Sequence, residues 1–352
     1  MNRKIQKTLE QIRPLDPDGH LLAKKRLDRL TKPPGSLGRL EELAAWYLHV
    51  TGKSPVLPLK KVIFVFAADH GVTEEGVSAY PKAVTAQMVY NFLRGGAAIN
   101  VLARHVGAEV RVVDMGVDHD FGALPGLLDR KVSRGSHNIA QGPAMSVEAA
   151  ERSLLIGIEL AEAAAKEGVG LLATGDMGIG NTTPSAAITA IFTRSDVAAV
   201  TGRGTGIDDA ALEKKRAVIQ QALDINRPDR ANPMELLSKV GGYEIAGIAG
   251  LLLGAAAHRL PVVIDGFIST AGALVAAALK PEINPFLLAA HRSAEAGHRI
   301  ALATLGLDPL LDLNMRLGEG SGAALGINLV EASLRILTEM ATFDEAGISE
   351  KG

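Results

Sequence analysis

At 352 residues the chain is long enough for one large α/β domain with a small appendage. Lys plus Arg (37) nearly balances Asp plus Glu (39), so no global field recruits nucleic acid or an anionic membrane. The chain has no cysteine, which excludes disulfides, thiolate nucleophiles and Cys-ligated metal centres together.

Residues 1–50 read as helical, interrupted by Lys32-Pro-Pro-Gly-Ser-Leu-Gly38, which no helix absorbs. The charged start, Met1 to Glu10, lacks the apolar core of a signal peptide. Gly247–Ala257, the longest apolar stretch, falls short of the roughly 20 residues a bilayer span needs. A cytoplasmic protein without a membrane span is the expectation. Beyond a proline-containing linker comes Val62–Ala67, an apolar run with no polar alternation, and similar runs follow at Val110–Met115, Val169–Ala173, Val197–Thr201, Pro261–Ile264 and Phe286–Ala290. Each predicts a strand buried on both faces, as in a parallel sheet. Amphipathic or Ala-rich stretches at 83–94, 146–167, 183–193, 209–223, 243–258, 267–278 and 293–305 predict helices between them. The alternation predicts a doubly wound α/β sheet over 60–315, with ligands at the carboxyl ends of the strands. A last helix, Ile327–Phe343, is expected to join the N-terminal helices, so that 1–52 and 325–345 form a small helical domain. A polar, mobile tail is expected after Phe343.

Four features carry chemistry. The run Thr174-Gly-Asp-Met-Gly-Ile-Gly-Asn-Thr-Thr-Pro184 follows an apolar strand and ends at a helix start, where backbone N–H groups suit an anion. Gly202-Arg203-Gly204-Thr205-Gly206 has the same character and precedes a helix carrying Lys214 and Lys215; a glycine-rich turn with surface lysines is the competing reading. It matches neither a Walker loop nor a dinucleotide fingerprint. Gly318-Glu319-Gly320-Ser321-Gly322 frames a carboxylate with glycines, where partial desolvation makes a general base, against the alternative of a solvated loop glutamate. Gly76–Pro81 with Val84–Met88 mixes an aromatic, an amide and apolar side chains that can wall a pocket for a planar heterocycle, or form a turn with an amphipathic helix behind it. Asp118-His119-Asp120, and His291 with His298, lack the geometry of a metal site, so no metal is expected.

Taken in order, these segments resemble the nicotinate-nucleotide:dimethylbenzimidazole phosphoribosyltransferase family of cobalamin lower-ligand assembly. The resemblance rests on Lys32–Glu41, Ala67–Val72, Gly76–Pro81, Gly95–Asn100, Thr174–Pro184, Thr201–Gly206, Asp265–Ile268 and Gly318–Gly322. It implies a parallel sheet of Rossmann-like topology, a small helical domain from both chain ends, a homodimer, and no metal or redox cofactor. It implies transfer of phosphoribose from nicotinate mononucleotide to 5,6-dimethylbenzimidazole. Glu319 is then the base. Asp176, where the family often carries Glu, stands with Met177 and Gly178 on the ribose and nicotinate side. Gly202, Arg203, Gly204 and Lys215, in preference to Lys214, hold the 5′-phosphate. Ser78, Tyr80, Gln87, Met88 and Leu317 line the base pocket. The rival readings are a nucleotide-dependent oxidoreductase, which would need a dinucleotide fingerprint after the first strand, and a non-catalytic nucleotide-binding protein.

Overall fold

A computed structural model describes residues 1–349. Six strands form one sheet: β1 (Lys61–Ala68), β2 (Glu109–Gly116), β3 (Leu127–Asp129), β4 (Leu171–Met177), β5 (Val262–Ile264) and β6 (Leu287–Ala289). All neighbours pair in parallel, in the order β3-β2-β1-β4-β5-β6. That is the strand order of dinucleotide-binding folds, so the Rossmann-like expectation holds. Because the order reverses between β1 and β4, a crevice opens beyond their carboxyl ends. β1 is a near-continuous apolar run because helices cover both faces of the sheet, whereas β4 continues past its apolar start through Thr174, Gly175 and Asp176 to Met177, residues expected to lie in the loop after the strand.

One face carries Val147–Lys166, Tyr243–Ala257 and Phe267–Leu279; beyond Glu244 in its first turn the second of these is apolar all round, and it is almost wholly buried. The other face carries Arg39–Thr51, Ala98–Val106 and Ser321–Glu339, whose Ala323, Ile327 and Val330 share a core with Ile63 and Val65 of β1. The helices from the chain ends divide between these faces. Leu21–Leu27 and Arg39–Thr51 pack with Ser321–Glu339, while Arg3–Gln11 packs on Val147–Lys166 and Tyr243–Ala257. Among the described residues no helix is long and apolar enough to cross a membrane.

Several elements differ from expectation. Val197–Thr201 is not a strand; Val197–Val200 is a helical turn entered from Asp196 in extended backbone. β3 was not foreseen, being a three-residue edge strand. The helix expected at 293–305 starts only at Ala296, because the backbone before it runs extended beside 311–315: the Arg292 N–H donates to the Leu311 carbonyl (2.7 Å) and the Ala294 N–H to Met315 (2.9 Å). The C-terminal helix begins earlier than expected, at Ser321, two residues after Glu319. Part of the expected tail forms a short capped helix, Phe343–Ala346, and 350–352 lie outside the described residues.

Candidate active site

A cavity of about 630 Å³ lies at the carboxyl end of the sheet, where the loops after β4 and β6, the 76–80 loop, the 204–205 turn and the 316–319 turn converge. Its floor is β4. The strand ends in Asp176 and Met177, and Asp176 is buried, with Oδ2 accepting from the Asn181 amide at 2.9 Å and Oδ1 without a partner. The 318–320 turn lies directly on this strand: a Cβ at Gly175 would stand 2.4 Å from the Glu319 carbonyl oxygen. Only glycine permits that approach. Glu319 itself has φ +63°, between Gly318 and Gly320 with φ of +84° and +92°. A non-glycine residue pays strain in that region, and such strain concentrates at functional sites.

What holds the turn is Asp265, fully buried at the end of β5. Its Oδ2 accepts from the Gly320 N–H (3.1 Å) and its Oδ1 from the Ala323 N–H (2.9 Å), satisfying the first turn of helix Ser321–Glu339. Glu319 Oε2 accepts from the Ile99 N–H at 3.2 Å, at the start of helix Ala98–Val106. Its other oxygen has no hydrogen-bond partner among the described residues, and the residue lines the cavity.

Burial pushes the Glu319 carboxyl above the usual carboxylate range; the Ile99 amide pulls it back and the charge of Asp265 adds to the rise. Asp176 is raised much further, by burial first and then by repulsion from Asp265. The Asp265 charge raises both Asp176 and Glu319, so ionising all three carboxyls together is disfavoured.

At the opposite end stands Lys215. Its side chain is buried, and Nζ donates to Thr182 Oγ1 (2.7 Å) and, at 3.3 Å, to the Gly202 carbonyl. Burial lowers its pKa to about 8, against the pull of Glu295. Lys214 is exposed. The 201–206 turn is tied on several sides. The Gly204 N–H donates to Glu295 Oε1 (2.9 Å), Arg316 donates to the Gly204 carbonyl (2.8 Å), and Thr205 Oγ1 accepts from the Ala79 N–H (3.0 Å). The Ser78 and Thr205 hydroxyls lie 3.2 Å apart, joining the base-pocket loop to this turn.

Most of the expected residues meet. Ser78, Tyr80, Met88, Asp176, Met177, Gly178, Gly204, Leu317 and Glu319 line the cavity. Gln87 does not: on helix Val84–Arg94 the positions facing the cavity are Val84 and Met88, one turn apart, and Gln87 points to solvent. Arg203 does not reach the cavity either. Its guanidinium donates to the Ile207 carbonyl (2.9 Å) and pairs with the Asp209 carboxylate, closing its own turn. Gly202 is packed behind the wall, against Glu295, and Lys215 stands beneath Gly204 and Thr182. Asp118, His119 and Asp120 take separate partners, Lys82, Tyr90 and Arg134.

His291, Glu295 and Arg316 escaped the sequence reading as ligand-site residues, and Asp265 entered it only as a strand-end motif and through the Asp265–Ile268 match. His291 lines the cavity with Nε2 3.8 Å from Asp265, and its Nδ1 has no partner. Asp265 directly follows β5, and His291 and Glu295 come within a few residues of β6, so the strand-end rule pointed to all three. His298 is a structural group. Its Nδ1 accepts from the Ser293 N–H (2.8 Å), its Nε2 lies 2.9 Å from Thr270 Oγ1, and burial lowers its pKa to about 3.

An open parallel sheet, a switch-point cavity, a buried lysine under a glycine turn and a buried carboxylate at the far end define an α/β enzyme acting on a small anionic substrate. The phosphoribosyltransferase family model matches residues 12–348, and the chain belongs to that family. The nicotinate-nucleotide–dimethylbenzimidazole phosphoribosyltransferase of Geobacter sulfurreducens is 61% identical to it over 346 residues, covering 98% of each chain. The protein of the same name from Chloroflexus aurantiacus is 54% identical over 347 residues, 99% of each. Among solved structures, CobT from Thermus thermophilus superposes with a TM-score of 0.90 at 50% identity, covering 95% of this chain and 100% of that one.

Proposed function

We propose that this protein transfers phosphoribose from nicotinate mononucleotide to 5,6-dimethylbenzimidazole, with Glu319 as the single general base. In nicotinate mononucleotide the glycosidic nitrogen is a pyridinium. When the bond to C1′ breaks, its electron pair returns to that ring and neutralises it, so no acid is needed for the leaving group. The incoming benzimidazole forms its new N–C1′ bond with one ring nitrogen and must lose the N–H proton of the other. Glu319 takes that proton. Attack opposite to the departing nicotinate converts the β-linkage to α, giving α-ribazole 5′-phosphate and nicotinate. Polar groups beside the sugar, the Asp176 carboxyl among them, favour the cationic character of the ribosyl centre.

The observation that carries this reading is the Glu319 carboxyl: buried, anchored through one oxygen to the Ile99 amide, and raised in pKa at the cavity wall. A base of raised pKa transfers protons near neutral pH more effectively than a solvated carboxylate. Ser78, Tyr80, Met88 and Leu317 surround the benzimidazole in this assignment. Met177 and Gly178 face the nicotinate side, and Gly204 with Lys215 take the phosphate. Gln87 and Arg203 have no ligand role in it. A homodimer in the cytoplasm is the proposed working form, measurable by sedimentation and by fractionation.

Incubating the purified protein with both substrates and analysing products by mass spectrometry tests the assignment. α-Ribazole 5′-phosphate with equimolar nicotinate is expected. Unchanged substrates would exclude the reaction.

A further inference from the structure

The turn assigned to phosphate is already holding an anion, and that anion belongs to the protein. Glu295, buried among the first residues after β6, places Oε1 2.9 Å from the Gly204 N–H. This is the amide a phosphate oxygen would use. Oε2 is buried with no partner, and the residue lines the cavity. The carboxylate lies so close to the turn that a Cβ on Gly202 would stand 2.1 Å from Oε2. Lys215 reaches the other side of the same turn through the Gly202 carbonyl. Its pKa is drawn upward by Glu295 against the effect of burial, so the two groups sense each other without forming an ion pair.

We infer that Glu295 is an affinity-determining residue: its carboxylate occupies the anion seat and competes with the substrate phosphate for the Gly204 N–H and the Lys215 charge. A phosphate entering beside the Glu295 side chain meets one acceptor too many for the donors present. Either the carboxylate gives up the amide or the two anions repel across a few ångströms of low-dielectric interior, and each weakens binding. Substrate and phosphorylated product are weakened alike, so the device limits how long product stays bound. It also ties the turn through Gly204 and partly balances the buried lysine. This inference rests on the reading of Gly204 and Lys215 as the phosphate seat.

The test uses the full-length protein and inorganic phosphate as probe, titrated by calorimetry at pH 7, with Glu295→Gln and Lys215→Ala. Glutamine keeps a carbonyl oxygen for the Gly204 N–H and removes only the charge, so the turn stays tied; matching circular dichroism melts check this. Glu295→Gln is expected to tighten phosphate by about tenfold, the scale of removing one nearby charge at intermediate dielectric. Lys215→Ala is expected to weaken it by a similar factor or more. If Glu295→Gln binds phosphate no better than the parent while Lys215→Ala loses it, Glu295 is not a competitor and the inference fails with the phosphate seat intact. If Lys215→Ala binds phosphate as well as the parent, the seat itself is misassigned, and the inference falls with it. Should glutamine disturb the melt, Glu295→Asp supplies the second reading. It retains the charge but shortens its reach, and tighter phosphate binding by that variant supports competition for the Gly204 N–H, whereas unchanged binding overturns it.

Discussion

The two glycine turns that close the cavity are built on opposite plans. The 318–320 turn is held by a buried carboxylate at the end of β5, which accepts from Gly320 within it and from Ala323 just beyond, and by left-handed backbone at three successive residues. None of these restraints is available to a ligand. The 201–206 turn is held by side chains that a ligand can displace: Glu295 on an amide, Arg316 on a carbonyl, the Thr205 hydroxyl on the opposite loop. The difference separates two tasks. A base must sit within a fraction of an ångström of the proton it takes, whereas an anion seat must accept a group, then let it go.

The largest test of this contrast is Glu319→Gln. The amide preserves the volume and can still accept from Ile99, but it cannot take a proton. We expect kcat to fall by about 10²-fold or more, with the KM of both substrates little changed, in steady-state assays. Near-normal kcat would remove Glu319 from the chemistry and with it the reason for so firmly held a turn.

At the other end, Lys215→Ala removes a buried cation from the phosphate. A roughly thirtyfold rise in KM for nicotinate mononucleotide is expected, the scale of one charge-assisted hydrogen bond, with dimethylbenzimidazole unaffected. Equal losses for both substrates would argue for a general collapse of the site. The same contrast can be read from pH. Glu319 must be ionised to act, so kcat/KM rises with pH through a free-enzyme pKa above the ordinary carboxylate value of 4.5. Lys215 must be protonated to attract phosphate, so kcat/KM falls again as pH climbs past about 8. Each limb belongs to one end of the cavity. Glu319→Gln should abolish the acidic limb of its residual activity, and Lys215→Ala the alkaline one.

Asp265 tests the firmness of the first turn directly. Asp265→Ala leaves the Gly320 and Ala323 amides without acceptors in a buried place, and should cost about 2 kcal/mol of stability in urea melts. Asp265→Asn keeps one acceptor oxygen and should cost less. An alanine variant as stable as the parent would mean that the turn is held by its backbone alone.

How much of this was legible beforehand depends on scale. β1 announced itself because a strand buried on both faces has no polar alternation, and the observed Lys61–Ala68 overlays the expected Val62–Ala67 closely; β4 was located but runs four residues past the expected end at Ala173. Val197–Thr201 carries a similar apolar pattern, and a run that short does not by itself distinguish a strand from a buried helical turn. The helix Pro233–Val240 went unforeseen although the Asn232-Pro233 pair marks its start, with the Asn232 side chain accepting from Glu235. In the site, glycine spacing located both turns, since backbone approach is encoded locally. Side-chain direction is not. Gln87 and Met88 are neighbours in sequence yet face different ways on one helix, and Arg203 turns back on Asp209. Glu295 lay hidden because its meaning comes only from Gly204, 91 positions away in the chain.

The smallest expected effect concerns the cavity mouth. Leu317 and Tyr80 are each 56% exposed, the reverse of the buried groups at the phosphate end. Binding a flat apolar base would cover Leu317, and truncating it to alanine removes three carbons, of which only part is covered in the complex. At about 0.8 kcal/mol per fully buried carbon, partial cover corresponds to roughly a fivefold rise in KM for dimethylbenzimidazole and none for nicotinate mononucleotide. The selectivity of the loss matters more than its size. Because Leu317 directly precedes the firmly held turn, its substitution could also shift Glu319, and then kcat would fall together with base affinity. A change confined to KM would show that the turn isolates its carboxylate from the mouth beside it, as the Asp265 anchor implies.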